Sequence, residues 1–271
     1  MKFDSNQAWK QASAQVSANR DVLIALAGVF FLIPSLAIDL FLPQPQPPAN
    51  QTAEQLMELT RAYYLSALPY VIPTLLLQAA GTLAMLTLFT DVQRPTVAEA
   101  IKRGFIGLFP YILAQLLVGI WMGLVTVVVF GAAAMTGVAA IMVVLGAAVI
   151  VGIFYVAVKT SLAAPVVAVE GLRNPVAALL RSWRLTNGNS VRVALFYLLV
   201  VLAFAVIVSI AMLLVGIVVA LTASGPVALF VASLIRSVLA AAMTVYFVAI
   251  LAAVHRQLAG PSLEREAATF E

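Results

Sequence analysis

The group best placed to do chemistry in this chain of 271 residues is a guanidinium, Arg236, set in the middle of an apolar run. It lies nine residues past Val227, roughly 14 Å along a helix at 1.5 Å per residue. A charge at that depth of a bilayer costs about 2.5–3.5 kcal/mol on insertion scales and is retained where it faces a bundle interior or a cavity. Ser233, Ser237 and Thr244 lie on or near the same helical face and make a polar stripe with it. Two readings follow: a binding site for an anion, a substrate or a headgroup, or an ion pair with Asp39 near the far end of the first apolar run.

Other candidates are sparse. Gln78 and Gln115 lie within apolar runs and suit interhelical hydrogen bonds. Pro69 and Pro73 predict a kink in the second run. Gly119 and Gly123, four apart, suit a close helix approach within the molecule. His255, the one histidine, stands beside Arg256 at the end of the last apolar run and reads as a surface residue. One His and no Cys leave no cluster for zinc, iron or haem and no disulfide or thiolate chemistry. Glu54, Glu58 and Glu170 are carboxylates flanking the apolar runs without paired partners in sequence, and no glycine-rich phosphate loop occurs. The expectation is a protein with no catalytic residues and no cofactor.

These residues must be positioned by helices in a membrane. Apolar residues make up 63% of the chain and charged ones 10%, with a mean hydropathy of +1.08. Soluble domains carry about 45–50% apolar and about 25% charged residues, so this chain has too little charge to coat a water-exposed surface. The net charge of +4 therefore reads as basic loops beside a membrane, with no nucleic-acid partner. Six runs have the length of about 20 residues that a crossing needs: Val22–Leu42, Tyr63–Phe89, Leu108–Phe130, Val138–Val158, Val193–Leu221 and Val227–Val254. The four prolines within Pro43–Asn50 and the Gly225-Pro226 pair separate spans. A tight hairpin around GAAAMTG parts the third from the fourth. The fold class is all-α, a single integral membrane domain over 1–271. Residues 1–21 form an amphipathic segment, 22–254 the six-span bundle and 255–271 a tail.

Thirteen of the fifteen basic residues fall on one side of this arrangement; Arg61 falls on the other and Arg236 within a span. The positive-inside rule makes the basic side cytoplasmic and both termini internal. On that side three segments are amphipathic at helical spacing. Val97, Ala100, Ile101 and Gly104 share a face in PTVAEAIKRG; Val176, Leu179, Leu180 and Trp183 share one in NPVAALLRSW. The two runs align without a gap. The N-terminal segment repeats the pattern less well, with Trp9, Ala12 and Val16. The chain thus reads as three repeats of an interfacial helix and a helical hairpin. Asn174 suits the N-cap of the second loop helix, Pro175 its first position and Asn187-Gly188 its end. The membrane-interface residues are Lys102, Arg103, Arg181, Trp183 and Arg184, with Trp183 at headgroup depth and the cations on anionic lipid headgroups.

The run Pro165–Asn189, PVVAVEGLRNPVAALLRSWRLTNGN, resembles the membrane domain attached to some glycerophosphoryl diester phosphodiesterases and the stand-alone YciC-type inner-membrane proteins of bacteria. The features that carry it are Pro165, Glu170, Pro175, Arg181-Ser182-Trp183, Leu185-Thr186 and Gly188-Asn189. The resemblance implies a bacterial inner-membrane protein linked to membrane lipids or envelope maintenance. It does not carry the phosphodiesterase activity, which needs a catalytic barrel that the 17 residues after Val254 do not provide. Three functions follow in order: a non-enzymatic protein that handles or organises lipid, a small solute or lipid transporter or channel, and an accessory or structural membrane subunit. Membrane lipids are the expected partners.

Overall fold

A computed structural model describes residues 2–42, 52–90, 95–222 and 224–260. All regular structure among them is helical: α1 Ser5–Ala18, α2 Arg20–Ala27, a π-helical turn Gly28–Leu32, α3 Ile33–Phe41, α4 Ala53–Thr90, α5 Val97–Met135, α6 Ala139–Thr160, α7 Ala163–Val169, α8 Pro175–Thr186, α9 Ser190–Thr222 and α10 Gly225–Ala259. Six stretches are long and apolar enough to cross a membrane, and the chain is a multi-pass membrane protein. The prolines of Pro43–Asn50, Arg94 and the tail from 261 lie outside the described residues.

The separators sit where the sequence places them. Between α5 and α6, Gly137 adopts a left-handed φ of 64°, a conformation with no penalty for a residue lacking Cβ. Gly225, with φ 58°, opens α10 ahead of Pro226. The helices run longer than the apolar runs. α5 has 39 residues, about 58 Å at 1.5 Å per residue, which is nearly twice the ~30 Å hydrocarbon core.

That length corrects one expectation. PTVAEAIKRG is not a separate interfacial helix but the first turns of α5, started by the Thr96 side chain accepting the Glu99 N–H. No residue between Gly104 and Leu108 breaks the helix. The small face of this segment is taken by α4, since a Cβ at Gly104 would stand 2.7 Å from the Ala80 carbonyl oxygen. Ala100 and Gly104 are buried there, while Val97, Lys102 and Arg103 are exposed. A separate short helix thus precedes α2 and α9 but not α5.

The core sits at the end of the bundle that carries both chain ends. There Leu83, Met85, Leu86, Leu162, Val166, Ile250 and Val254 are fully buried. Within the most apolar windows, 56% of residues are buried in α10 but only 6% in α5 and in α9. The far halves of these helices therefore offer their apolar faces to lipid. α1 closes the core end with Ala8 and Ala12, both buried against α10. Gly81 lets the π-helical turn approach α4, because a Cβ there would lie 2.5 Å from the Cβ of Phe30. The pair expected to do this, Gly119 and Gly123, has nothing within 4 Å.

Candidate functional site

The site is built around the break between α6 and α7. α6 stops at Thr160, which leaves the Lys159 carbonyl and the Leu162 N–H without helical partners. Ser182 of α8 serves both: its Oγ donates to the Lys159 carbonyl at 2.7 Å and accepts from the Leu162 N–H at 3.1 Å. Pro165 falls in the first turn of α7, where a missing N–H costs nothing. α8 begins as its sequence indicates. The Asn174 side chain accepts the Ala177 N–H at 3.1 Å, and Pro175 occupies the first position. Gly188 turns the chain into α9 with a φ of 76°.

The neighbours of Ser182 clamp the same break. Arg181 Nε donates to both Glu170 oxygens, at 2.9 and 3.2 Å. Trp183 lies edge-on to Tyr155 with ring centroids 5.8 Å apart. The Lys159 ammonium rests 5.2 Å from the Trp183 ring centroid and 5.6 Å from that of Tyr155, and donates to Asn187 Oδ1 at 2.8 Å. Lys159 is 2% exposed; two aromatic faces and one amide oxygen stand in for the water it has lost.

Two expectations are corrected here. His255 is not a surface residue: it is buried, with Nε2 3.0 Å from Glu170 Oε1. Glu170, which has no partner nearby in sequence, is the hub that ties α7 to α8 and α10. Burial pushes its carboxyl pKa up, but the hydrogen bonds and charges of His255 and Arg181 outweigh it and hold the carboxyl below the usual range. Arg181 is accordingly engaged by Glu170 instead of facing lipid headgroups alone.

Beside this clamp lies an open cavity of about 740 Å³, lined by Lys2, Arg181, Arg184 and Arg192, with Asn187 and Asn189 between them and Leu185 and Leu258 as apolar walls. Lys2 reaches it because the N-terminus folds back. The Phe3 N–H donates to Asn189 Oδ1 at 2.9 Å, the Phe3 ring packs on Phe196, and Asp4 and Gln257 exchange two hydrogen bonds of 3.1 Å. No carboxylate lines the cavity among the described residues. Guanidinium forks and side-chain amides are groups whose geometry suits phosphate oxygens.

Comparison with models of known families, with curated proteins and with solved structures gives no match. The site is therefore read from its own geometry.

The remaining predicted residues lie elsewhere. Arg236 is paired with Asp39 of α3, Nε to Oδ2 at 3.0 Å and Nη2 to Oδ1 at 2.6 Å. Ser233 and Ser237 are buried beside it, and Ser237 Oγ has no partner among the described residues. Thr244 spends its hydroxyl on the Ala240 carbonyl. Gln78 does bond across helices, to Ser35 at 3.3 Å, whereas Gln115 bonds Tyr111 one turn back in its own helix. Lys102 and Arg103 are exposed on α5, far along the chain from the cavity, with Arg103 3.9 Å from Glu99. Of the stripe, Val176 and Leu180 are exposed, Leu179 is half-buried and Trp183 keeps an exposed edge beyond its contacts with Tyr155 and Lys159, while Ala178, Ser182 and Leu185 of α8 face the protein. Lys2 and Arg192 belong to the basic side by charge count; nothing local in sequence marks them as neighbours of Arg184.

Proposed function

We propose that this chain is a non-enzymatic protein of the bacterial inner membrane that binds anionic lipid headgroups at its basic end and serves lipid or envelope homeostasis. One observation carries the reading: four cationic side chains from three separate segments converge on one cavity with no described carboxylate among its lining residues. Each basic group near an anionic surface contributes about 1 kcal/mol, less as salt rises. By the positive-inside rule this end is cytoplasmic and both termini are internal. α8 then lies in the interface, with Val176, Leu180 and Trp183 turned to acyl chains and Arg184 to headgroups. In this reading the chain remains three hairpin units, the second with its leading helix fused to the span. The resemblance of Pro165–Asn189 to YciC-type proteins points the same way. The Arg236 pair adds no support for a transport site, because the guanidinium fork is already filled by Asp39.

The test is thermal stability in nanodiscs. Replacing part of a phosphatidylcholine bilayer by phosphatidylglycerol raises the melting temperature of the wild type, and Arg184→Gln with Arg192→Gln abolishes the gain. An equal gain in the double variant overturns the headgroup reading. A single Cys introduced at Lys102 reacts with an impermeant maleimide only from the cytoplasmic face; reaction only from outside overturns the topology.

A further inference from the structure

The basic cavity shares residues with a second cavity, which in turn shares residues with a third. The second, about 550 Å³, shares Lys2 and Arg192 and adds Phe3, Leu195, Phe196 and Leu199. The third, about 410 Å³, shares Phe196 and Leu199 and runs between α1 and α9 past Trp9, Ala203, Phe204 and Ile207. The change in chemistry along this path is one-directional. Cations line its start, a mixed segment follows, and its far part is apolar apart from Ser5 and Asn6 on the α1 side. The one carboxylate on the way, Asp4, has an oxygen committed to capping α1 through the Gln7 N–H at 3.0 Å. Aromatic contacts fix the apolar wall, with Trp9 stacked on Tyr246 at 6.2 Å and Phe204 edge-on to the same ring at 6.4 Å.

The dimensions suit a lipid tail. From Phe196 to Ile207 the groove follows eleven residues of α9, about 16 Å at 1.5 Å per residue. That is close to half of the ~30 Å hydrocarbon core, the depth of one leaflet. Lys2 and Arg192 stand at the mouth, at the level where a phosphate would lie above such a chain.

We propose that the occupant of this path is a single anionic phospholipid of the adjoining leaflet, with its phosphate between Lys2 and Arg192 and one acyl chain in the α1–α9 groove against Trp9 and Ala203. This deepens the headgroup reading and rests on it; it adds that the chain is recognised as well as the charge. The protein holds three tryptophans, Trp9, Trp121 and Trp183. Trp121→Phe with Trp183→Phe therefore leaves Trp9 as the only indole reporter.

The experiment measures quenching of Trp9 by chain-brominated lipids in mixed phosphatidylcholine–phosphatidylglycerol nanodiscs. Brominated phosphatidylglycerol is expected to quench Trp9 beyond its share of the bilayer, and brominated phosphatidylcholine is not. Lys2→Gln with Arg192→Gln removes the excess. Ala203→Phe fills the groove at an exposed position and weakens preferential quenching by about tenfold, a typical effect of overfilling a packed site. Leu198→Phe, at an exposed position on the opposite face of the same helix, leaves it unchanged. Soluble glycerol phosphate does not displace the lipid. If Trp9 quenching follows bulk composition while phosphatidylglycerol still stabilises the protein, the chain-binding proposal fails and the headgroup reading stands. If phosphatidylglycerol gives no stabilisation either, both fail. Displacement by glycerol phosphate makes the cavity a soluble-phosphate site and also overturns the proposal.

Discussion

Removing one partner of the Arg236–Asp39 pair tests whether a charge deep in the bundle is held by its counter-ion. Arg236 is eleven residues into α10, which begins at Gly225, about 16 Å by helix rise. Its side chain is half exposed to the surroundings, and that of Asp39 is one-fifth exposed. On the reading of α10 as a span, those surroundings are lipid, and water does not screen the survivor when its partner is lost. Asp39→Asn leaves an unpaired guanidinium, at a cost of about 3 kcal/mol on insertion scales. At about 2–4 °C per kcal/mol for a chain of this size, the melting temperature drops by about 6–12 °C. Arg236→Leu leaves an unpaired carboxylate and costs a similar amount at neutral pH. The double variant removes both charges and recovers most of the loss, since an apolar replacement of a buried pair is often neutral or stabilising. The assay is detergent melting of the four proteins, read as a double-mutant cycle. Single variants that melt with the wild type, or losses that simply add in the double variant, refute the reasoning.

Four further substitutions address the packing of the basic end and the helix contacts beyond it. Because Glu170 has its pKa lowered by His255 and Arg181, its pairing stabilises the fold above the ordinary carboxylate range, and that contribution is lost as pH falls through the depressed value; Glu170→Gln should melt lower at neutral pH and show a flatter acid limb in a pH 7 to pH 3 series. Ser182→Ala strands the buried Leu162 N–H and Lys159 carbonyl, at about 1–3 kcal/mol for each unsatisfied group, and a melting loss under ~2 °C would show that the chain relaxes around them. Gly81→Ala forces a Cβ to within 2.5 Å of the Phe30 Cβ and should cost about 1–3 kcal/mol. Gly119→Ala meets nothing within 4 Å and should be neutral or up to ~1 kcal/mol stabilising through helix propensity; the reverse order in thermal melts would contradict the placement of the close helix contact.

Which features were legible in sequence follows from how local their causes are. The spans, the Gly137 hairpin, the Asn174 cap and the Gly188 turn each depend on residues within a few positions of one another. The α5 error has a different origin. Val97, Ala100, Ile101 and Gly104 do form a stripe, but periodicity gives no information on what covers it. The small size of Ala100 and Gly104 suits a neighbouring helix and not a lipid surface, and α4 takes that face. Gly119 and Gly123 have the spacing of a helix contact and lack the neighbour. Gly81 has the neighbour without the spacing. Glu170 and His255 are 85 residues apart, and no local pattern pairs them.

The basic end is the instructive case. Counting charges places Lys2, Arg181, Arg184 and Arg192 on one side of the membrane, and topology asks for no more than that. It does not require them to share a cavity, where like charges repel and raise the free energy of the folded chain. Two sets of contacts hold them together. Glu170 fixes Arg181 from behind, and the hydrogen bonds of Phe3 with Asn189 and of Asp4 with Gln257 bring Lys2 back across the bundle end. Spread over the loops, the same charges would satisfy the orientation rule with less repulsion. Their convergence costs stability, and on the proposed headgroup reading a bound anion offsets that cost.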